Sequence, residues 1–97
     1  MFTIILEDGV EDNILEACLW YENQKSGLSE GFLKEIEDSY RKLEEQPFLY
    51  SKVWKSYRHL ILKHFPFVMA FEIKGTDVIV FAVTHTSRNP KEKFKGR

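Results

Sequence analysis

Cysteine is nearly absent from this chain: Cys18 stands alone, which excludes a disulfide framework and a thiolate metal cluster. Histidine is almost as scarce, and His59, His64 and His85 are scattered without ligand spacing, so neither a metal site nor another cofactor is expected. No apolar run approaches the length of a membrane-spanning helix. Residues 1–20 also lack the basic start and small-residue cleavage site of a secretion signal, so a cytoplasmic protein with no membrane partner is expected. Neither internal repeats nor low-complexity stretches interrupt the sequence.

Basic residues are missing from one half. Residues 1–50 hold 4 Lys/Arg against 12 Asp/Glu, a balance of −8, whereas residues 51–97 hold 10 against 3, a balance of +7, which recovers the net −1. A basic second half suits a phosphate backbone or an acidic protein partner, and it also suits attraction to the acidic half of its own chain. What remains is ordinary for a globular protein: 43% hydrophobic and 30% charged residues argue against disorder, and 97 residues allow a single domain with one modest core.

Phe2 to Leu6 is a β-branched and bulky apolar run followed by Asp8 and Gly9, which predicts a short strand ending in a turn. Asp8 and Glu11 have the spacing of a capping box. Ile14, Ala17, Cys18 and Tyr21 then recur at helical spacing, and Ser26 with Gly27 closes that helix. Ser29 is placed to cap a second helix with Phe32, Leu33, Ile36, Tyr40 and Leu43 as its apolar stripe, ended by Pro47. The short joint predicts an antiparallel helical hairpin.

Leu60 to Leu62, Phe67 to Ile73 and Val78 to Val83 supply three strands joined by short links, which favours antiparallel neighbours. The expected architecture is α+β, in the order β-α-α-β-β-β, with the hairpin packed on one face of an antiparallel sheet and the other face left free. The last strand runs out into His85, Arg88, Asn89 and Pro90, a polar exit from an apolar strand. A histidine at such an exit serves more often as a surface hydrogen-bonding group than as a general base.

The segments WYENQKSGLSEGFLKEIE (20–37), PFLY (47–50), YRHLILKHFPFVMAFEI (57–73) and VIVFAVTHTSRNP (78–90), in this order and spacing, resemble the RelE/ParE superfamily of toxins from type II toxin–antitoxin operons, and within it the ParE-like, plasmid-stabilisation members. The resemblance covers nearly the whole chain. It implies a cytoplasmic toxin held inactive by a cognate antitoxin that wraps its surface. It also implies one of two targets: ParE-like members inhibit DNA gyrase by binding it, and RelE-like members cleave mRNA on the ribosome.

Cleavage of RNA by its own 2′-hydroxyl needs a base, cations for the phosphoryl oxygens and an acid for the leaving oxygen. The resemblance places the RelE-like lysines on His59 and Ile61, the arginines on Val68 and Arg88, and the tyrosine on Phe94, so one position of five keeps its type. Some nucleases of the superfamily use histidine instead, which leaves a second possible site: His85 as acid or base, with Arg88 and Arg58 on the phosphate. Strand alternation points Arg58 and His59 to opposite faces, which weakens any site that uses both. A ParE-like gyrase inhibitor therefore ranks first, an endoribonuclease with an altered His/Arg site second, and an inactive toxin homologue third. Arg58, His59, His85, Arg88, Lys91 and Lys93 are the residues expected to meet the target or antitoxin. The antitoxin is expected on the basic second half and in the groove beside the helical hairpin.

Overall fold

The computed structural model describes residues 1–87. Along these residues run β1 (Thr3–Leu6), α1 (Val10–Gln24), α2 (Leu28–Glu45), a 3₁₀ turn (Pro47–Leu49), β2 (Lys52–Trp54), β3 (Tyr57–Ile61), β4 (Phe67–Lys74) and β5 (Asp77–His85). The strands form one sheet in the order β1-β5-β4-β3-β2. The predicted meander is present, since β3, β4 and β5 are successive antiparallel neighbours.

Two features of the sheet differ from expectation. β1 lies parallel to β5, with Thr3 opposite Asp77 and Leu6 opposite Val80, because the helical hairpin and three strands intervene before the chain returns to its start. A fifth strand, β2, forms a hairpin with β3 and carries no alternating apolar signal: Lys52, Val53 and Trp54 are all exposed. Its turn lacked a sequence signature as well, because the left-handed position is taken by Lys55 (φ 52°) rather than by glycine or asparagine.

The helix starts also depart from the simple reading. Gly9 takes a left-handed conformation (φ 90°) at the start of α1, and the Asp8 to Glu11 capping box does not form. Glu11 and Asp12 instead bring negative charge to the first turn, where the helix dipole favours it. At α2, Gly27 (φ 87°) precedes the helix and Ser29 lies inside it. The cap comes from the other helix. Glu22 accepts hydrogen bonds from the Gly27 N–H (2.9 Å), the Ser29 N–H (3.2 Å) and the Ser29 hydroxyl (2.6 Å). The Ser29 hydroxyl, followed by the two N–H groups, holds the Glu22 carboxyl below the usual carboxylate range. One acidic side chain thus ties the end of α1 to the start of α2.

The two helices cover one face of the sheet. Val10, Ile14, Ile36 and Leu43 pack with Leu60, Met69, Phe71, Val78, Val80 and Val83 in a single cluster. Phe32 is its aromatic hub, fully buried, with ring centroids 5.3 Å from Tyr21, 5.3 Å from Phe65 and 5.1 Å from Phe67. Cys18 lies in the same cluster, and burial pushes its thiol up, away from the reactive thiolate. The opposite face is less open than expected, for Val68, Ala70 and Ala82 alternate with helix-facing residues and are buried nonetheless.

Glu35 on α2 fastens the connection after β3. Its carboxylate accepts from the His64 N–H (2.9 Å) and meets the His64 ring nitrogen at 2.7 Å. Burial pushes this carboxyl up, but the His64 N–H, ring and charge, with the Lys63 N–H, outweigh it and hold the group below the usual carboxylate range. No helix among the described residues is long and apolar enough to cross a membrane.

Two stability tests follow from this packing. Phe32→Ala should cost about 3–5 kcal/mol in urea unfolding, the range for emptying an aromatic site in a core; a loss below ~1 kcal/mol would mean that the ring cluster is not the hub. Glu35 has a lowered carboxyl pKa in the folded chain, so its stabilisation is complete above the unfolded carboxylate range and is lost as pH falls through the folded value. Glu35→Gln should therefore be less stable than the parent at neutral pH, with the gap closing on acidification. A gap that stays constant between neutral and acid pH would contradict the assignment.

Candidate functional site

The groups singled out in the sequence occupy three separate places. Arg58 points to the helix-facing side of β3, half-buried, where its guanidinium donates to the Tyr50 carbonyl (2.6 Å) and lies 5.2 Å from the centre of the Phe48 ring. It ties the 3₁₀ turn to the sheet. His59 faces the other way, opposite Ala70, with its Nδ1 atom buried. The alternation of Arg58 and His59 is as the sequence predicted, and it keeps them from lining one cleft.

His85 stands at the far end. It closes β5 opposite Phe67, with the rings 5.5 Å apart, on the side of the sheet occupied by α1. The Ser87 N–H donates to His85 Nδ1 at 3.1 Å, and the Ser87 hydroxyl lies 2.8 Å from the same atom. A ring nitrogen that accepts from a backbone N–H carries no proton, so the proton of the neutral ring is assigned to Nε2.

The register gives the spacing between these groups. Arg58 pairs with Phe71 of β4 and His85 pairs with Phe67, so they stand two strands and four β4 residues apart. At ~3.3 Å per residue and ~4.8 Å per strand, their backbones are roughly 16 Å apart. With the guanidinium already directed to Tyr50, the pair does not converge on one phosphate. The positions that carry the lysines and first arginine of a RelE-like site add nothing to it: Ile61 is 61% exposed and apolar, and Val68 is buried. Arg88, Lys91, Lys93 and Phe94 lie outside the described residues. Half of the ten Lys/Arg of residues 51–97 fall there too; within residues 51–87, five cations against two acids leave +3.

Two grooves flank the helical hairpin. One, of about 390 Å³, runs between α2 and β3; Leu60 and Leu62 lie along it beside Lys34, Lys42 and Lys63, which make no ion pair among the described residues, and beside Glu35 and Asp38, which pair with His64 and Arg41. The other, of about 440 Å³, lies between α1 and the end of β5, lined by Ala17, Trp20, Tyr21, Pro66, Phe67 and His85. The sequence pointed to His85 but not to the groove, because Trp20, Pro66 and Phe67 come from segments distant along the chain. The usable signal was position: Trp20 falls off the Ile14, Ala17, Cys18, Tyr21 face, and it is 59% exposed. No group of three or more metal-ligating side chains occurs among the described residues.

Because Arg58 fastens the 3₁₀ turn, Arg58→Ala should lower stability by about 1–2 kcal/mol through the lost charged hydrogen bond and the uncovered Phe48 ring. Thermal unfolding of the variant measures this. An unchanged midpoint would show that the guanidinium is free for another role.

Comparison with known proteins agrees with this architecture. The sequence model of a family described as the ParE toxin of type II toxin-antitoxin system, parDE, matches residues 4–90. Toxin ParE2 of Mycobacterium tuberculosis, strain CDC 1551 / Oshkosh, is 26% identical over 86 residues, spanning 88% of this chain and 82% of that protein. Toxin ParE2 of strain ATCC 25618 / H37Rv matches to the same extent, with 26% identity over 86 residues. Among solved structures, one described as the chromosomal ParDE TA system from P. aeruginosa shares the fold with a TM-score of 0.77 at 13% identity, over 88% of this chain and 96% of that one. With the helical hairpin on its sheet and a family match along most of its length, the chain belongs to the ParE toxin family of type II toxin–antitoxin systems.

Proposed function

We propose that this toxin acts in the cytoplasm by binding DNA gyrase rather than by cutting RNA, and that a cognate antitoxin holds it inactive. The observation that carries the choice is the dispersal of the candidate catalytic groups among the described residues. Arg58 is spent on Tyr50 and Phe48, His59 lies on the opposite face, and His85 stands at the other end of the sheet. A nuclease needs its base, acid and cations around one phosphate, whereas a binding toxin needs only a surface.

That surface, in this reading, is the polar exit of β5, where His85 presents Nε2 and where the chain continues into Arg88, Lys91 and Lys93. The antitoxin is a protein with acidic and apolar segments. The groove between α2 and β3 suits it, since Lys34, Lys42 and Lys63 flank the apolar Leu60 and Leu62 there. The ParDE description of the Pseudomonas structure supports a toxin–antitoxin pairing of this kind.

Induction in bacteria without the antitoxin separates the two targets. The expected outcome is arrest with SOS induction and no new mRNA 5′ ends, relieved by co-expression of the antitoxin, and Arg88→Ala should weaken the arrest. New 5′ ends without SOS induction would instead establish ribosome-dependent cleavage. Normal growth would favour the inactive homologue.

A further inference from the structure

The outer side of α1 is not explained by the hairpin, the sheet or the proposed toxin surface. From residue 1 to residue 24 the chain has no lysine or arginine and six carboxylates: Glu7, Asp8, Glu11, Asp12, Glu16 and Glu22. Glu11, Asp12 and Glu16 make no ion pair among the described residues. Three large apolar side chains share this helix with them yet avoid the core: Leu15 is 57%, Leu19 59% and Trp20 59% exposed.

Helical geometry gives these residues an order. Leu15 and Leu19, four apart, form a ridge along the solvent side of α1. At ~100° per residue, Asp12 and Glu16 fall along one flank of the ridge and Glu11 along the other. Trp20 lies beyond Glu16, where it meets the groove lined by Pro66, Phe67 and His85. An apolar ridge with carboxylates on both sides, beside an aromatic groove, has the layout of a protein interface. Its charge repels nucleic acid and anionic lipid surfaces, which leaves protein.

We propose that the Leu15 and Leu19 ridge of α1, with the Trp20 groove, docks a basic amphipathic helix of a partner protein. The partner's apolar stripe covers the two leucines, its Lys or Arg side chains meet Asp12 and Glu16, and one cation or ring lies against Trp20. This face carries carboxylates and no lysine or arginine, whereas in the groove between α2 and β3 three lysines outnumber Glu35 and Asp38. The toxin therefore carries two docking surfaces that select partners of opposite charge.

The test uses the full chain carrying Trp54→Phe, so that Trp20 reports alone, and two synthetic amphipathic helical peptides, one of leucine and lysine and one of leucine and glutamate. The Leu/Lys peptide should bind at least ~10-fold more tightly than the Leu/Glu peptide. It should shift Trp20 fluorescence, perturb amide signals within Val10–Gln24, and lose affinity as salt rises. Asp12→Lys with Glu16→Lys, and separately Leu15→Ser with Leu19→Ser, should each weaken it by ~10-fold or more while circular dichroism is unchanged. If the serine pair melts early, Leu19→Ser alone repeats the measurement. Equal binding of both peptides, binding unaffected by the charge reversal, or perturbations confined outside α1 would overturn the proposal. So would a homodimer in sedimentation that the serine pair dissolves, since the ridge would then belong to a second copy of the chain.

Discussion

Contact between the Phe32 ring and its aromatic neighbours is the constraint on which the rest of the molecule depends. Phe32 comes from α2, Tyr21 from α1, Phe65 from the connection after β3 and Phe67 from the first residue of β4. One cluster therefore fixes the angle of the hairpin, its height on the sheet and the start of the long β4–β5 ladder. Edge and tilted ring contacts each add about 0.5–1.5 kcal/mol beyond area burial, so the cluster is favourable as well as central. Because Phe67 pairs with His85, the same contact sets where β5 ends and brings His85 beside α1. Glu22 and Glu35 complete the frame, the first by capping α2 from α1 and the second by holding His64.

Among the described residues this frame distributes the candidate polar groups instead of gathering them. Arg58 stabilises a turn, Ser87 orients His85, and the two grooves lie on either side of the hairpin. Catalysis demands that its groups converge on the reacting phosphate, whereas recognition does not. The proposed reading, a toxin that binds its target, needs no such convergence among the described residues.

Much of the fold was legible because its determinants are local. The stripes of α1 and α2, the Pro47 stop and the apolar runs of β4 and β5 obey simple periodicities. β2 was hidden because its three residues are exposed and its turn is made by Lys55. The parallel pairing of β1 depends on residues more than seventy positions away, as from Thr3 to Asp77, which no local pattern reports. The helix caps were misread because glycine conformation and a remote carboxylate replaced the nearby Asp8 and Ser29. For the site, alternation separated Arg58 from His59 correctly, but the aromatic groove needed Pro66 and Trp20 to meet across elements distant in sequence.

The central proposal is that this toxin acts by binding DNA gyrase rather than by cutting RNA. Its most direct test mixes the purified full chain with purified gyrase and supercoiled plasmid, and in parallel with programmed ribosomes. The account predicts concentration-dependent gyrase–DNA cleavage complexes and intact mRNA. Cleaved mRNA on the ribosome, with gyrase unaffected, would contradict it.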